Sequence, residues 1–266
     1  MPRTHIAELE IHYAEQGSGQ TLLIFPDNLH ASHAYADEID HFSDRFHVLS
    51  FDYPGSGRST RDVKYHDERE YDLWNFRADL ACHLLMTLDI DSAWAMGAGG
   101  GALAALHFAG KQARLHRLTS LGVIADSFLP RLDSRTLHRS LDTREHFYVR
   151  RAGTLQEQHG EDWRAVVDAD TAFLRRVADR GGYALPDFVL NDIPSPVLLT
   201  GSLRDPLTPG IGQAFARLSG IVPDCTVHLE SSAGHRYGEE HPLMWTAPDL
   251  FRQVCDVFLS RRGRTT

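Results

Sequence analysis

The sequence predicts an α/β fold built on a mostly parallel sheet, and three observations carry that prediction. Short apolar strands alternate along the chain with helical patterns. Glycine-punctuated turns follow strands at Asp52-Tyr53-Pro54-Gly55-Ser56-Gly57-Arg58-Ser59 and at Gly201-Ser202-Leu203-Arg204-Asp205-Pro206. Between them, Trp94-Ala95-Met96 runs into the cluster Gly97-Ala98-Gly99-Gly100-Gly101 and then into an Ala/Leu-rich helix from Ala102 to about Leu115.

Taken in order, residues His5 to Tyr13 alternate weakly as a first strand, and Glu15 to Gly19 form a turn into a buried strand, Thr21 to Phe25. A polar loop from Pro26 to Ser32 precedes a short helix near Tyr35 to Phe42. His47 to Phe51 is the next strand. Leu73, Phe76, Leu80 and Leu84 keep helical spacing between Tyr71 and Leu88. After the glycine cluster and its helix, Leu118 to Ile124 is again strand-like. From Asp126 to about Leu190 the chain is charged and helical in pattern. Strand signals resume at Pro196 to Thr200 and at Cys225 to Leu229, and an amphipathic helix, roughly Ala247 to Ser260, follows. Because the alternation resumes after it, the 126–190 block reads as a helical cap inserted in one core formed by residues 1–125 and 191–266.

Composition narrows the function classes. The 266 residues are 42% hydrophobic and 24% charged, the balance of a soluble globular chain able to bury a large core. A formal charge of −9 argues against non-specific binding to nucleic acid or to an anionic membrane. No apolar run approaches the roughly 20 residues that span a bilayer. Met1-Pro2-Arg3-Thr4-His5 lacks the apolar core of a signal peptide, so a cytoplasmic location is expected. Cys82, Cys225 and Cys255 are widely spaced and odd in number, which suggests neither a disulfide framework nor a cysteine-rich metal site. The partner expected is a small-molecule substrate; a homo-oligomer stays open.

These segments together resemble the α/β-hydrolase superfamily over nearly the whole chain. A strand, a tight glycine turn and a helix form that family's nucleophile elbow, G-x-S-x-G, in which Gly97 and Gly101 match the two glycines and Gly99 stands at the nucleophile position. Asp52 to Ser59 resembles its D-x-x-G-x-G-x-S turn. The G-x-x-D-x-x-x-P loop from Gly201 makes Asp205 the match for the triad acid. Gly234-His235, followed by Glu240 and Pro242, resembles the G-H-x-x-x-x-E-x-P segment and makes His235 the match for the triad histidine. Some members carry the acid at the end of the strand before the cap, which makes Asp126 a second partner for His235; an N-cap of the cap's first helix is the alternative.

Two departures define the expected chemistry. Glycine at position 99 closes the covalent acyl-enzyme route there. Where the family usually reads H-G-x, this chain has Pro26-Asp27-Asn28, with Asn28 at the position whose N–H normally points at the oxyanion. A carboxylate beside a developing oxyanion opposes it, and suits a cation, a proton donor or a hydroxyl-bearing substrate. Gly99 and Gly100 would open volume for substrate, with Asp27 and Asn28 contacting it; an Asx-type turn is the plainer role for that pair. Other patterns carry less. His30 and His33 have H-x-x-H spacing, but among 16 histidines such pairs arise by chance, and no metal is expected. Gly97-x-Gly99-x-x-Ala102 matches a dinucleotide fingerprint, yet it lies late in the strand series with no acid near Arg117 to Leu121. The 126–190 side chains Arg131, His138, His146, Tyr148 and Arg150 could line a polar substrate pocket, but such residues are more often a solvated helix face.

The resulting expectation is a cofactor-independent enzyme of specialised metabolism using His235 and Asp205 for acid–base chemistry on a small organic substrate, without an acyl-enzyme. Elimination, isomerisation, cyclisation and water-activated cleavage all stay open. The alternatives are a non-catalytic binding protein or receptor derived from a hydrolase, and a hydrolase whose serine was engineered to Gly99.

Overall fold

The computed structural model describes residues 2–61, 73–115, 118–191, 193–231 and 241–262. Eight strands form one sheet: β1 (Arg3–Ile6), β2 (Leu9–Gln16), β3 (Thr21–Phe25), β4 (His47–Phe51), β5 (Ser92–Ala98), β6 (Thr119–Asp126), β9 (Val197–Ser202) and β10 (Cys225–Glu230). Their spatial order is β1-β2-β4-β3-β5-β6-β9-β10, antiparallel at β1–β2 and β2–β4 and parallel from β4 to β10. Where one strand was expected over His5 to Tyr13, a hairpin forms instead. It turns at Ala7, whose φ of 54° is unusual for a residue with a side chain.

Side chains leave a strand on alternate faces, and this sheet is covered on both. Leu23, Phe25, Leu49, Phe51, Ala93 and Ala95 face α2 (Leu73–Thr87), α3 (Gly100–Leu115) and α8 (Ile211–Leu218). Leu22, Ile24, Val48, Trp94 and Met96 face α1 (Ala36–Ser43) and α10 (Pro248–Arg262). The central strands therefore read as continuous apolar runs rather than alternating ones. The small residues Ala93 and Ala95 lie opposite Ala102, Ala104, Ala105 and Ala109 of α3, which brings that helix close to the sheet. Among the described residues no helix is long and apolar enough to cross a membrane.

Between β6 and β9 the chain forms β7 (Arg131–Asp133), α4 (Ser134–Arg150), α5 (Ala152–His159), α6 (Trp163–Asp179), β8 (Gly182–Ala184) and α7 (Asp187–Asn191). The strands β7 and β8 pair antiparallel as a separate two-stranded sheet. Tyr148, Leu155, Trp163 and Val167 of this segment form a small apolar cluster with Leu29, from the loop after β3. A second short helix, α9 (Leu243–Thr246), precedes α10.

The topology decides where chemistry can be placed. From β3 the chain passes to β4 on one side and later returns as β5 on the other, so the connections diverge between β3 and β5. In open α/β sheets that divergence leaves a crevice at the carboxyl ends of the strands. The register lines those ends up: Phe25 opposite Gly97, Ala98 opposite Asp126, and Asp126 opposite Thr200.

Candidate functional site

At the end of β5 the chain reverses at Gly99, whose φ of +54° lies in the left-handed region, and enters α3 at Gly100. A Cβ at Gly97 would strike the backbone carbonyl of Gly101, and one at Gly101 would strike the backbone carbonyl oxygen of Phe25, so the turn packs closely only because both positions are bare. A Cβ at Gly99 would stand 2.8 Å from Oδ1, 2.9 Å from Cγ and 3.0 Å from Oδ2 of Asp27. The Asp27 carboxylate thus lies directly over the turn, in the space a side chain at position 99 would need.

Backbone donors hold that carboxylate. Asp27 Oδ1 accepts the N–H of Gly100 at 2.7 Å and the N–H of Asn28 at 2.7 Å. The Asp27 N–H donates to the Tyr35 hydroxyl at 2.8 Å, and the His30 N–H closes a turn on the Asp27 carbonyl at 3.1 Å. Asn28 is fixed from the other side, its Oδ1 accepting Arg77 Nη1 at 2.6 Å and Trp74 Nε1 at 3.2 Å. Arg77 is only 2% exposed and lies over the Tyr53 ring at 4.2 Å, while the Tyr53 hydroxyl donates to the Pro26 carbonyl at 3.1 Å. The Asn28 side-chain oxygen Oδ1 also fills the place of a side chain on Gly100. All four substrate-contact positions expected from the sequence, Gly99, Gly100, Asp27 and Asn28, therefore meet at one turn.

The second half of the site joins Asp205, just past β9, to the segment entering α9. Asp205 Oδ2 lies 2.6 Å from Nδ1 of His241, and Asp205 Oδ1 accepts the N–H of Leu207 at 2.8 Å. The expected imidazole, His235, lies outside the described residues; among those described, His241, six positions on, lies at Asp205. Burial opposes a charge on His241. That penalty is outweighed by the charge and hydrogen bond of Asp205, then by the charges of Asp27 and Asp126, so its pKa is raised above the usual histidine value.

Asp126 is fully buried, and among the described residues no imidazole is hydrogen-bonded to it. Oδ1 accepts Thr200 Oγ1 at 2.8 Å and Ser127 Oγ at 3.1 Å, and Oδ2 accepts the N–H of Met244 at 2.9 Å. Ser127 Oγ in turn accepts the N–H of Leu243 at 2.9 Å. The carboxylate thereby ties the backbone immediately after His241 to β6 and β9. Burial pushes its pKa up to about 6, against the opposing effects of the Met244, Thr200 and Ser127 hydrogen bonds and the His241 charge. Asp126 lies in β6 and does not cap α4; near that helix, Asp133 accepts the N–H and hydroxyl of Thr136.

His30, which the sequence offered only as half of a chance H-x-x-H pair, belongs to this neighbourhood. Its ring lies 4.5 Å from that of Trp245 in α9, and its buried Nδ1 has no hydrogen-bond partner among the described residues. Burial holds its pKa down to about 4, with Asp27 opposing and Arg151, His159 and His241 assisting. Its pKa is lower folded than unfolded, so the unfolded chain binds more protons between pH 6.5 and 4, and stability is lost as the pH falls through that window. Urea midpoints at pH 7.5 and 4.5 should therefore fall less steeply for His30→Gln than for the wild type. Parallel slopes would remove His30 from this role.

Of the polar side chains between β6 and β9, Tyr148 is buried against Leu29 and His138 pairs with Asp179 at 3.3 Å. Arg131, His146 and Arg150 are exposed.

Comparison with known proteins agrees with this architecture. The family model for the alpha/beta hydrolase fold matches residues 20–159, more than half of the chain. An (E)-2-((N-methylformamido)methylene)succinate hydrolase of Acinetobacter baylyi is 41% identical over 49 residues, 18% of this chain and 19% of that protein. The matched stretch thus spans about a fifth of that relative's length. Among solved structures, an E-2-(acetamidomethylene)succinate hydrolase superposes with a TM-score of 0.72 at 20% identity, covering 97% of this chain and 98% of its own. An enol-lactonase from Burkholderia xenovorans LB400 gives 0.66 at 16% identity, covering 97% and 100%. The shared topology, the turn at Gly99 and the match over more than half its length place this chain in the α/β-hydrolase-fold family.

Proposed function

We propose that the protein is a cofactor-independent enzyme that acts on a small organic substrate by acid–base chemistry, with no serine nucleophile at the elbow and no acyl-enzyme. The observation that carries this reading is the Asp27 carboxylate over Gly99, bonded to the Gly100 and Asn28 N–H groups. Acyl transfer needs a nucleophile at that turn and free donors for the oxyanion. Here glycine stands at the turn and a carboxylate takes the donors. What remains is a half-buried imidazole, His241, oriented through Nδ1 by Asp205, which leaves Nε2 to exchange a proton with substrate or water.

In this reading the segment between β6 and β9 serves as a cap that encloses the substrate. Support for a small substrate comes from the relatives named as hydrolases of acylamino-methylene succinates and of an enol-lactone. Elimination, isomerisation and water-activated cleavage all use one proton acceptor and one donor, and all fit the same groups.

The experiment is an untargeted mass-spectrometric comparison of wild type, His241→Ala and His235→Ala, each incubated with small-molecule extract from the source cells. A metabolite consumed by the wild type and spared by His241→Ala supports the reading. Its mass change names the reaction: none for isomerisation, gain of water for hydrolysis, loss of water for elimination. Unchanged compounds bound equally by all three proteins would replace it with a binding function.

A further inference from the structure

We propose that Asp27 is the proton acceptor of this site and His241 its proton donor, the carboxylate having taken over the pair of N–H groups that would otherwise hold an oxyanion. This rests on the acid–base reading above and assigns its two roles.

The geometry separates the two oxygens of Asp27. Oδ1 receives both N–H groups, one of them from Gly100, the first residue of α3, where a helix favours negative charge. Oδ2 has no hydrogen-bond partner among the described residues. One oxygen is therefore an anchor and the other is available for proton transfer. The anchor is stiffened from behind, since Asn28 is gripped by Arg77 and Trp74 and the Asp27 N–H by Tyr35. A group that must meet a substrate proton repeatedly at one position benefits from such support.

His241 is arranged for the opposite task. Its Nδ1 is engaged by Asp205 and it also feels the charges of Asp27 and Asp126, so three carboxylates favour its protonated form despite burial. The crevice thus carries the Asp27 carboxylate and the imidazole that Asp205 orients. A substrate X–H bound over Gly99 gives its proton to Asp27 Oδ2, and the X–H electron pair enters the new bond of the product. The Nε2–H proton goes to the substrate atom that receives the displaced electron pair, and the N–H pair stays on the imidazole. When X–H is water, the same transfers cleave a bond by hydrolysis. The proton on Asp27 then returns to His241 through water, with no net oxidation and no co-reactant. The substrate class is a small molecule with an acidic O–H, N–H or carbonyl-adjacent C–H and a basic leaving or accepting atom.

The test has two arms. Asp27→Asn keeps the shape and the oxygen that accepts both N–H groups while removing the proton acceptor. It should lose at least about 100-fold in turnover of the metabolite consumed by the wild type. Its thermal midpoint should hold, and its His241 ring titration, followed by NMR on labelled histidine, should move to lower pH. Turnover at the wild-type level, with His241→Ala inactive, would overturn the Asp27 assignment and leave the acid–base reading standing. A lost turnover with an unmoved His241 titration would also overturn it. The second arm needs no substrate: Gly99→Ser is compared with the double variant Asp27→Gly/Gly99→Ser for labelling by a fluorophosphonate. Labelling at least 10-fold faster in the double variant supports a carboxylate filling the N–H pair. Equal rates, whether fast or absent, overturn it.

Discussion

Replacing His241 with alanine is expected to lower turnover by about 10²- to 10⁴-fold while the protein stays folded. The side chain meets Asp205 through one hydrogen bond, and Asp205 keeps its second bond, to the Leu207 N–H, when the imidazole is gone. The carboxylate left behind is buried, so a modest stability loss of about 1–3 kcal/mol accompanies the change. The informative comparison is with His241→Gln, which fills part of the volume and can reach Asp205 but cannot carry an exchangeable imidazole proton. Both variants should be inactive if the proton matters, and only alanine should be impaired in stability. Recovery of turnover in glutamine would show that His241 serves packing alone.

Asp126→Ala is expected to give the largest stability loss, because Thr200, Ser127 and the Met244 N–H all lose their acceptor in a fully buried setting. An unsatisfied buried donor costs about 1–3 kcal/mol, so the sum is roughly 3 kcal/mol or more. The loss has a defined pH dependence. The carboxyl's pKa is raised to about 6 in the folded protein, above its ordinary value of 3.8, so the folded state binds the extra proton between those limits. That contribution is fully present below pH 4 and is lost as the pH rises through 6, where the wild type must keep a desolvated charge. The difference between wild type and variant should therefore be greater at pH 5 than at pH 8, as read from urea unfolding at both values. Equal differences would mean that the carboxyl is not titrating there. Activity should fall too, since Asp126 and Ser127 together tether Met244 and Leu243, the residues behind His241.

Much of this fold could be read from residues alone because burial on both faces writes apolar runs into β3, β5, β6 and β9, with glycine turns after them. The hairpin at Ala7 escaped because an alanine takes the positive φ, where glycine or asparagine would have announced the turn. The pairing of β7 with β8 escaped because Arg131 and Ala184 meet only in the folded chain, with α4, α5 and α6 between them. At the candidate site, the places of Asp205, Gly99, Asp27 and Asn28 in strand-end turns were legible in the sequence. The approach of His241 to Asp205 was not, since the pattern that points to His235, which lies outside the described residues, counts position 241 as a spacer before Pro242. Only the tertiary approach of the two segments brings the His241 ring to Asp205. His30 was visible as a residue, but its place was not, for the ring that packs against it, Trp245, lies far along the chain.

The most direct test of the central claim is the rate of substrate consumption in cell extract before and after exhaustive treatment of the wild-type protein with a fluorophosphonate. The account predicts an unchanged rate and an unchanged intact protein mass, because the elbow carries no serine and Asp27 occupies its donors. Stoichiometric labelling with loss of turnover would contradict it and return the protein to covalent serine chemistry.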